Sequence, residues 1–355
     1  MKKKYWQLLF LVFLIVGTVL IIRQQQTTPY QKDNGFIFGT IYNITYQSDK
    51  NLKQEIEAEL KKVDSALSMF NPQSVISKIN QGATTIPQTE EGRMFEEVVG
   101  LALNISKETD GAFDITVAPL VNAWGFGFKS GETPTPQQVD SLRRLTGYEK
   151  IAYNAKQHKI ESKSRNAKAR PATSNGNIAP HFQLDCSAIA KGYGSDVVAR
   201  LLRKKGIKNY MVEIGGEVVT SGISEKRVPW RIGVTKPTDD TLSVSSELQT
   251  VLNVTDRAMA TSGNYRNFYY KGGKKYAHTI DPKTGYPVQH NILSATVLAP
   301  NCATADAYAT SFMVLGLDGA KRILEKHPEL MAYLIYTDAK GNYATWHSPK
   351  LKMEE

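Results

Sequence analysis

Four short segments of this 355-residue chain bring acids, hydroxyls, a lysine and a histidine together with glycine or proline inside apolar surroundings. Each falls where secondary structure is expected to change, so its backbone groups are free to meet a ligand. In the first, Gly111-Ala112-Phe113-Asp114-Ile115-Thr116, a carboxylate flanked by large apolar side chains must find donors or a cation. Asp114 either accepts hydrogen bonds from a flavin or adenine edge or closes a turn onto Thr116, and the residues alone leave both open. In the second, Leu184-Asp185-Cys186-Ser187 leads into Ala190-Lys191-Gly192-Tyr193-Gly194. Asp185 is read as ending a strand and opening a helix, where free amides and the positive helix end favour an anion such as a pyrophosphate. A plain N-cap is the alternative for Asp185, and Lys191, one turn in, either reaches a phosphate or a ribose or is an exposed lysine with no specific role.

The third segment is His278-Thr279-Ile280-Asp281-Pro282-Lys283-Thr284-Gly285. His278 closes a strand beside a turn forced by Pro282 and Gly285, and an imidazole on a fixed edge suits general acid/base work near neutral pH. A structural histidine is the competing reading. In the fourth, Asp306 and Thr310 lie four apart on an alanine-rich helix, so their oxygens point the same way about one turn apart. A carboxylate, a hydroxyl and a backbone carbonyl are hard oxygen ligands suited to Mg²⁺. Familiar nucleotide loops are missing: Gly192-Tyr193-Gly194 has no third glycine, and no glycine-rich loop ends in Gly-Lys-Ser/Thr.

The elements that must position these segments are legible from periodicity. Phe36, Phe38, Thr40, Tyr42, Ile44 and Tyr46 alternate as in one half-buried strand, after a polar linker at 24–34. Leu52, Ile56, Leu60, Val63 and Leu67 make the apolar stripe of a helix. Further helices are expected at 91–107, 136–147, 187–205, 303–315 and 319–326, and a hairpin across Asn154-Ala155. Strands are expected at 210–214, 230–235, 248–254, 276–280, 293–298, 331–336 and 343–346. They interleave with the helices without a strict βαβ period, which makes the fold class α+β with mixed sheets and packed helices.

Composition narrows the function. The chain is 41% hydrophobic and 9% aromatic, enough for a core and against wholesale disorder. Two cysteines, Cys186 and Cys302, exclude a disulfide scaffold; buried free thiols are expected in preference to a pair. The net charge of +10 includes Lys2, Lys3 and Lys4, which precede an apolar run ending at Ile22 before Arg23. A basic start and a membrane-length stretch without a small-x-small site predict an uncleaved signal anchor over 1–23, with cleavage as the alternative. The positive-inside rule then puts the domain at 35–350 on the extracytoplasmic, periplasmic side of the inner (plasma) membrane. A basic segment at 161–182 is read as a solvated insertion. Nucleic acid is an unsuited partner, because the basic residues are not interleaved with aromatics.

Taken together, the four segments resemble the ApbE family, the flavin transferases that use FAD to attach FMN to other proteins. Phe38-Gly39-Thr40, Ser68-Met69-Phe70-Asn71, Val212-Glu213-Ile214-Gly215-Gly216-Glu217 and Ala258-Met259-Ala260-Thr261-Ser262-Gly263-Asn264 carry the resemblance further, over about 36–346. It implies that Phe38 and Phe70 contact FAD, that Ala112, Phe113 and Asp114 line the flavin site, that Asp185 and Lys191 bind the nucleotide, and that Thr279 touches FAD. For Mg²⁺ it implies the Ala188 carbonyl, Asp306 and the Thr310 hydroxyl. Phe38 stands where the family often has Met, and Ala309 where some members carry a second Asp.

The expected reaction is Mg²⁺-dependent transfer of FMN from FAD, the substrate, to a threonine or serine hydroxyl, with release of AMP. His278 would take the hydroxyl proton and Asp281 would orient it. The acceptor implied is a flavin-carrying subunit of a membrane redox complex. Hydrolysis of FAD to FMN and AMP, and simple flavin binding, are the alternatives.

Overall fold

The computed structural model describes residues 2–25, 28–128, 133–163, 182–237, 247–264, 268–271, 274–289 and 291–351. The frame is one antiparallel eight-stranded sheet in the order β1-β2-β5-β6-β9-β12-β13-β14. Its strands are β1 (Tyr30–Ile37), β2 (Thr40–Gln47), β5 (Tyr210–Ile214), β6 (Glu217–Ser221), β9 (Ala258–Gly263), β12 (Ile292–Ala299), β13 (Met331–Thr337) and β14 (Tyr343–His347). Three two-stranded ribbons stand apart: β3 (Ile151–Asn154) with β4 (Lys159–Ser162), β7 (Trp230–Thr235) with β8 (Leu248–Val254), and β10 (Phe268–Lys271) with β11 (Lys274–Ala277). The helices are α1 (Lys2–Gln25), α2 (Lys53–Leu67), α3 (Val75–Asn80), α4 (Glu90–Glu108), α5 (Ala118–Ala123), α6 (Pro136–Arg143), α7 (Ala190–Lys204) and α8 (Cys302–Lys326).

One sheet face is covered by α2, α4, α7 and α8, whose apolar stripes meet Ile44, Val212, Ala295 and Val297 in the main core. The other face is covered near its middle by the β7–β8 ribbon, where Trp230, Ile232 and Leu252 meet Val218, Met259, Leu298 and Tyr333. The fold is therefore α+β, as expected. Central strands β6 and β12 are buried along nearly their whole length, as strands covered on both faces must be.

Three local expectations change. The strand read over 36–46 is a hairpin: Ile37 pairs with Thr40, and Phe38 and Gly39 turn the chain with φ of 51° and 74°. Two positive φ values in a two-residue loop are the type I′ geometry that matches strand twist. The turn inverts the alternation: Phe36 pairs with Ile41 and both are exposed, on the face opposite the buried Tyr42, Ile44 and Tyr46. The polar stretch read as linker to Asn34 is strand from Tyr30. The helix expected from Ser187 starts at Ala190, after a turn at 187–189. In α8, Gly316 leaves helical geometry (φ 72°, ψ 177°), which accounts for the two helices expected there. Cys186 and Cys302 are free and buried, as expected. Most of the basic segment at 161–182 lies outside the described residues.

Candidate active site

The loop between β5 and β6, the far end of β9 and the first turns of α7 and α8 enclose a cleft of about 400 Å³. Most of the residues singled out in the sequence share its wall: Phe70, Ala112, Phe113, Asp114, Asp185, Ala188, Lys191, His278, Thr279, Asp306 and Thr310. They arrive from segments up to 240 positions apart, so the fold alone brings them together. Two do not line it. Phe38 packs from behind: a Cβ at Gly194 of α7 would lie 2.6 Å from its ring. Asp281 stays within its own turn, where Oδ1 accepts from the Lys283 amide at 2.9 Å.

The centre of the cleft is a charge cluster from three elements. Lys191 Nζ donates to Glu217 Oε1 at 2.7 Å, and the Gly192 amide donates to Asp306 Oδ2 at 3.1 Å. Glu217 Oε2 is buried without a hydrogen-bond partner. Burial pushes the Glu217 carboxyl up to about 8, with Lys191 opposing and Asp306 reinforcing the rise. Burial raises Asp306 too, against the pull of Lys191 and the Gly192 amide. For Lys191, burial favours the neutral amine, but Asp306 and Glu217 outweigh it and drive its pKa upward. Two buried acids thus face one ammonium, an arrangement short of positive charge.

That shortage bears on the metal. Asp306 supplies a carboxylate, Thr310 a hydroxyl that lies 3.1 Å from the Ser262 hydroxyl, and Ala188 a stretch of cleft-lining backbone. Among the described residues no three His, Cys, Asp or Glu side chains gather as a metal cluster. A metal here would be held mostly by neutral oxygens, which suits Mg²⁺ and not a softer ion. The residues present fit it.

The two remaining acids are already engaged. Asp114 Oδ1 accepts from the Thr116 amide at 2.8 Å and its hydroxyl at 2.7 Å, and Oδ2 accepts from the Tyr148 amide at 2.7 Å. This is the turn-closing alternative, extended by a contact 34 residues away. Asp185 Oδ1 accepts from the Ser187 amide at 2.7 Å, so it caps the turn before α7 and not the helix, whose N-cap residue is Ile189. Burial raises both carboxyls, partly offset by these bonds.

His278 follows β11 directly and lines the cleft, and the Phe126 ring stands edge-on to it at 6.4 Å. Next to it, Thr279 Oγ1 donates to Asn264 Oδ1 at 2.9 Å. An aromatic stack runs on from Phe126 through Tyr269 and Tyr276 to Trp124, whose Nε1 donates to Gly285 O at 2.8 Å. The turn after His278 is thereby fastened to α5.

Sequence reasoning gave no role to Glu217, Ser262 or Asp196. Glu217 stands alone between two glycines and an apolar strand, which is the signal that could have marked it. Asp196 had none: its Oδ1 and Oδ2 accept from the Cys302 and Ala303 amides at 2.8 and 2.9 Å. This clasp ties the start of α8 to α7 and so sets where Asp306 stands.

With this geometry in view, the chain was compared with known proteins. A sequence profile of the ApbE family matches residues 38–335. The FAD:protein FMN transferase of Haemophilus influenzae is 35% identical over 343 residues, covering 92% of this chain and 94% of that protein. The enzyme of the same name from Escherichia coli is 33% identical, covering 88% and 84%. Among solved structures, the flavin transferase ApbE from Vibrio cholerae superposes with a TM-score of 0.75 at 32% identity, covering 90% of this chain and 97% of that one.

Proposed function

We propose, on the premise that this chain belongs to the ApbE family, that it is an FAD:protein FMN transferase. FAD is the substrate. A threonine or serine hydroxyl of a partner protein attacks the FMN phosphorus, the phosphoanhydride bond breaks, AMP leaves, and the hydroxyl proton passes to a base. The observation that carries this reading is the convergence of His278, Lys191, Glu217, Asp306 and Thr310 on one cleft.

His278 takes the hydroxyl proton, since its imidazole is on the cleft wall beside an aromatic edge that holds it. Asp281 is its orienting partner in this reading, through the turn that both residues share. Lys191 faces the diphosphate as a fixed cation, and Glu217 holds it in place. Phe70, Ala112, Phe113 and Thr279 pack against the flavin moiety. Phe38 acts at one remove, by setting the position of α7. Asp114 and Asp185 shape the backbone around the ligand, because their carboxylates are bonded within the chain. Asp306, Thr310 and the Ala188 carbonyl would hold Mg²⁺. When bound, it supplies neutralisation of charge on the diphosphate during phosphoryl transfer.

The acceptor is a flavin-carrying subunit of a membrane redox complex on the same side of the membrane. An anchor supports that pairing: α1 carries an 18-residue window, Lys4–Ile21, of mean hydropathy 2.0. Retained in the inner membrane with its lysines in the cytoplasm, it leaves the catalytic domain outside.

The test is to incubate the full chain in detergent with FAD, Mg²⁺ and an acceptor fragment, reading acceptor mass and AMP together. A gain of one FMN with matching AMP establishes the transfer. AMP without labelled acceptor means hydrolysis, and bound FAD with neither product means a binding protein.

A further inference from the structure

The cleft and the anchor lie at opposite ends of the sheet. Helix α1 ends at Gln25, and the next described residue is Thr28, whose carbonyl accepts from Gln47 Nε2 at 2.8 Å. Three Cα steps span at most about 11 Å. The apolar window ends at Ile21, and a headgroup layer is about 5–7 Å deep. The end of the domain that holds Thr28 and Tyr30 is therefore held against the bilayer surface. From Tyr30, β1 runs eight residues to Ile37, a rise of about 24 Å. The register then fixes the ends: Tyr46, Tyr210 and Ser221 are level with Gln31, next to Tyr30, while Tyr42, Ile214 and Glu217 are level with Gly35, two residues short of Ile37 at the hairpin turn. The cleft opens at the second level.

The near end is closed by the loop after β6. Tyr30 Oη donates to Ile223 O at 2.8 Å, and Ser224 bonds Val228 O through its amide and its hydroxyl, both at 2.9 Å. This built loop exposes apolar Ile223 (37%) and Val228 (42%) beside exposed Lys226 and Arg227, and it adjoins exposed Lys208. Its acid, Glu225, is paired with Lys32 at 3.0 Å. Apolar tips among basic side chains match an anionic lipid surface.

We propose that the loop at 223–228 rests on anionic lipid headgroups beside the anchor and that the cleft faces away from the membrane. The inference rests on the retained anchor argued above. Its consequence is that the acceptor hydroxyl is presented from above, by a segment that stands clear of the bilayer, and not by a residue at the membrane surface.

The full chain, reconstituted in phosphatidylethanolamine–phosphatidylglycerol vesicles, tests this. Cys186 and Cys302 are wholly buried, so a dye can be attached selectively at Ser224→Cys or Pro229→Cys, and separately at Phe36→Cys near the far turn. Energy transfer to a headgroup dye should be several-fold stronger from the first two sites than from the third. The pair Lys226→Glu and Arg227→Glu should weaken the near-end signal in these vesicles and leave FMN transfer in detergent unchanged. Equal or reversed signals overturn the orientation, and an unaltered signal in the charge-reversed chain overturns the lipid contact. A chain recovered soluble and shortened overturns the anchor and the proposal with it. FMN transfer measured on each variant keeps these results separate from any failure of the proposed activity.

Discussion

At Gly192, α7 and α8 approach closely, and replacing it tests whether that approach sets the proposed Mg²⁺ site. A Cβ at Gly192 would lie 2.4 Å from Cys302 O, 2.7 Å from Cys302 C and 2.9 Å from Asp306 Cβ. The first two are backbone atoms, so no side chain can swing away. Restoring ordinary contact requires the start of α8 to move by about 1 Å, and overpacking of this kind costs about 1–3 kcal/mol. Alanine returns about 1 kcal/mol through helix propensity, so the net loss of stability is about 0–2 kcal/mol. Activity should suffer more. The shift carries Asp306 with it and breaks its bond from the Gly192 amide, and a misplacement of about 1 Å can cost about a hundredfold in rate. Gly192→Ala is therefore expected to unfold at slightly lower urea, to transfer FMN about a hundredfold more slowly, and to need more Mg²⁺. Gly100→Ala on α4 is the control, since its Cβ would meet only Tyr153 at 4.0 Å. A Gly192→Ala enzyme with wild-type turnover and wild-type Mg²⁺ response would refute the reasoning.

His278→Ala should retain FAD binding and lose transfer by about 10²–10⁴-fold; unchanged transfer removes His278 from the mechanism. Asp306→Ala should abolish both activity and its dependence on Mg²⁺, and normal turnover in that variant overturns the metal assignment. Glu217→Gln keeps the shape but loosens Lys191, so FAD affinity should fall; FAD titration checks this, and unaltered affinity would show that Lys191 needs no partner. Asp196 gives a pH dependence. Burial raises its carboxyl from 3.8 to about 6 in the folded protein, against the two amides it caps. Between those values the folded state holds the proton and the unfolded chain releases it, so stability falls as pH rises through the window, by about 3 kcal/mol in all. Urea midpoints measured across that window should fall accordingly in the wild type and stay flatter in Asp196→Asn.

The sequence by itself determined most of the helices and singled out the polar segments that line the cleft. The stripe Ile56, Leu60, Val63 and Leu67 is written in local order, and α2 buries all four. Eleven residues named from the four polar segments and from the family resemblance line one cleft. Half-buried strands such as β7 were legible because alternation is a local signal, whereas the polar start of edge strand β1 was not. Strands β6 and β9 were not, because Glu217-Val218-Val219 and Ala258-Met259-Ala260, buried in the middle of the sheet, do not alternate. Tertiary structure alone decided the rest. Only folding sets Glu217 on Lys191, 26 positions away, clasps α8 to α7 through Asp196, and occupies Asp114 with the Tyr148 amide. The physical reason is that such bonds depend on where separate elements cross, and a crossing leaves no periodic mark on either segment.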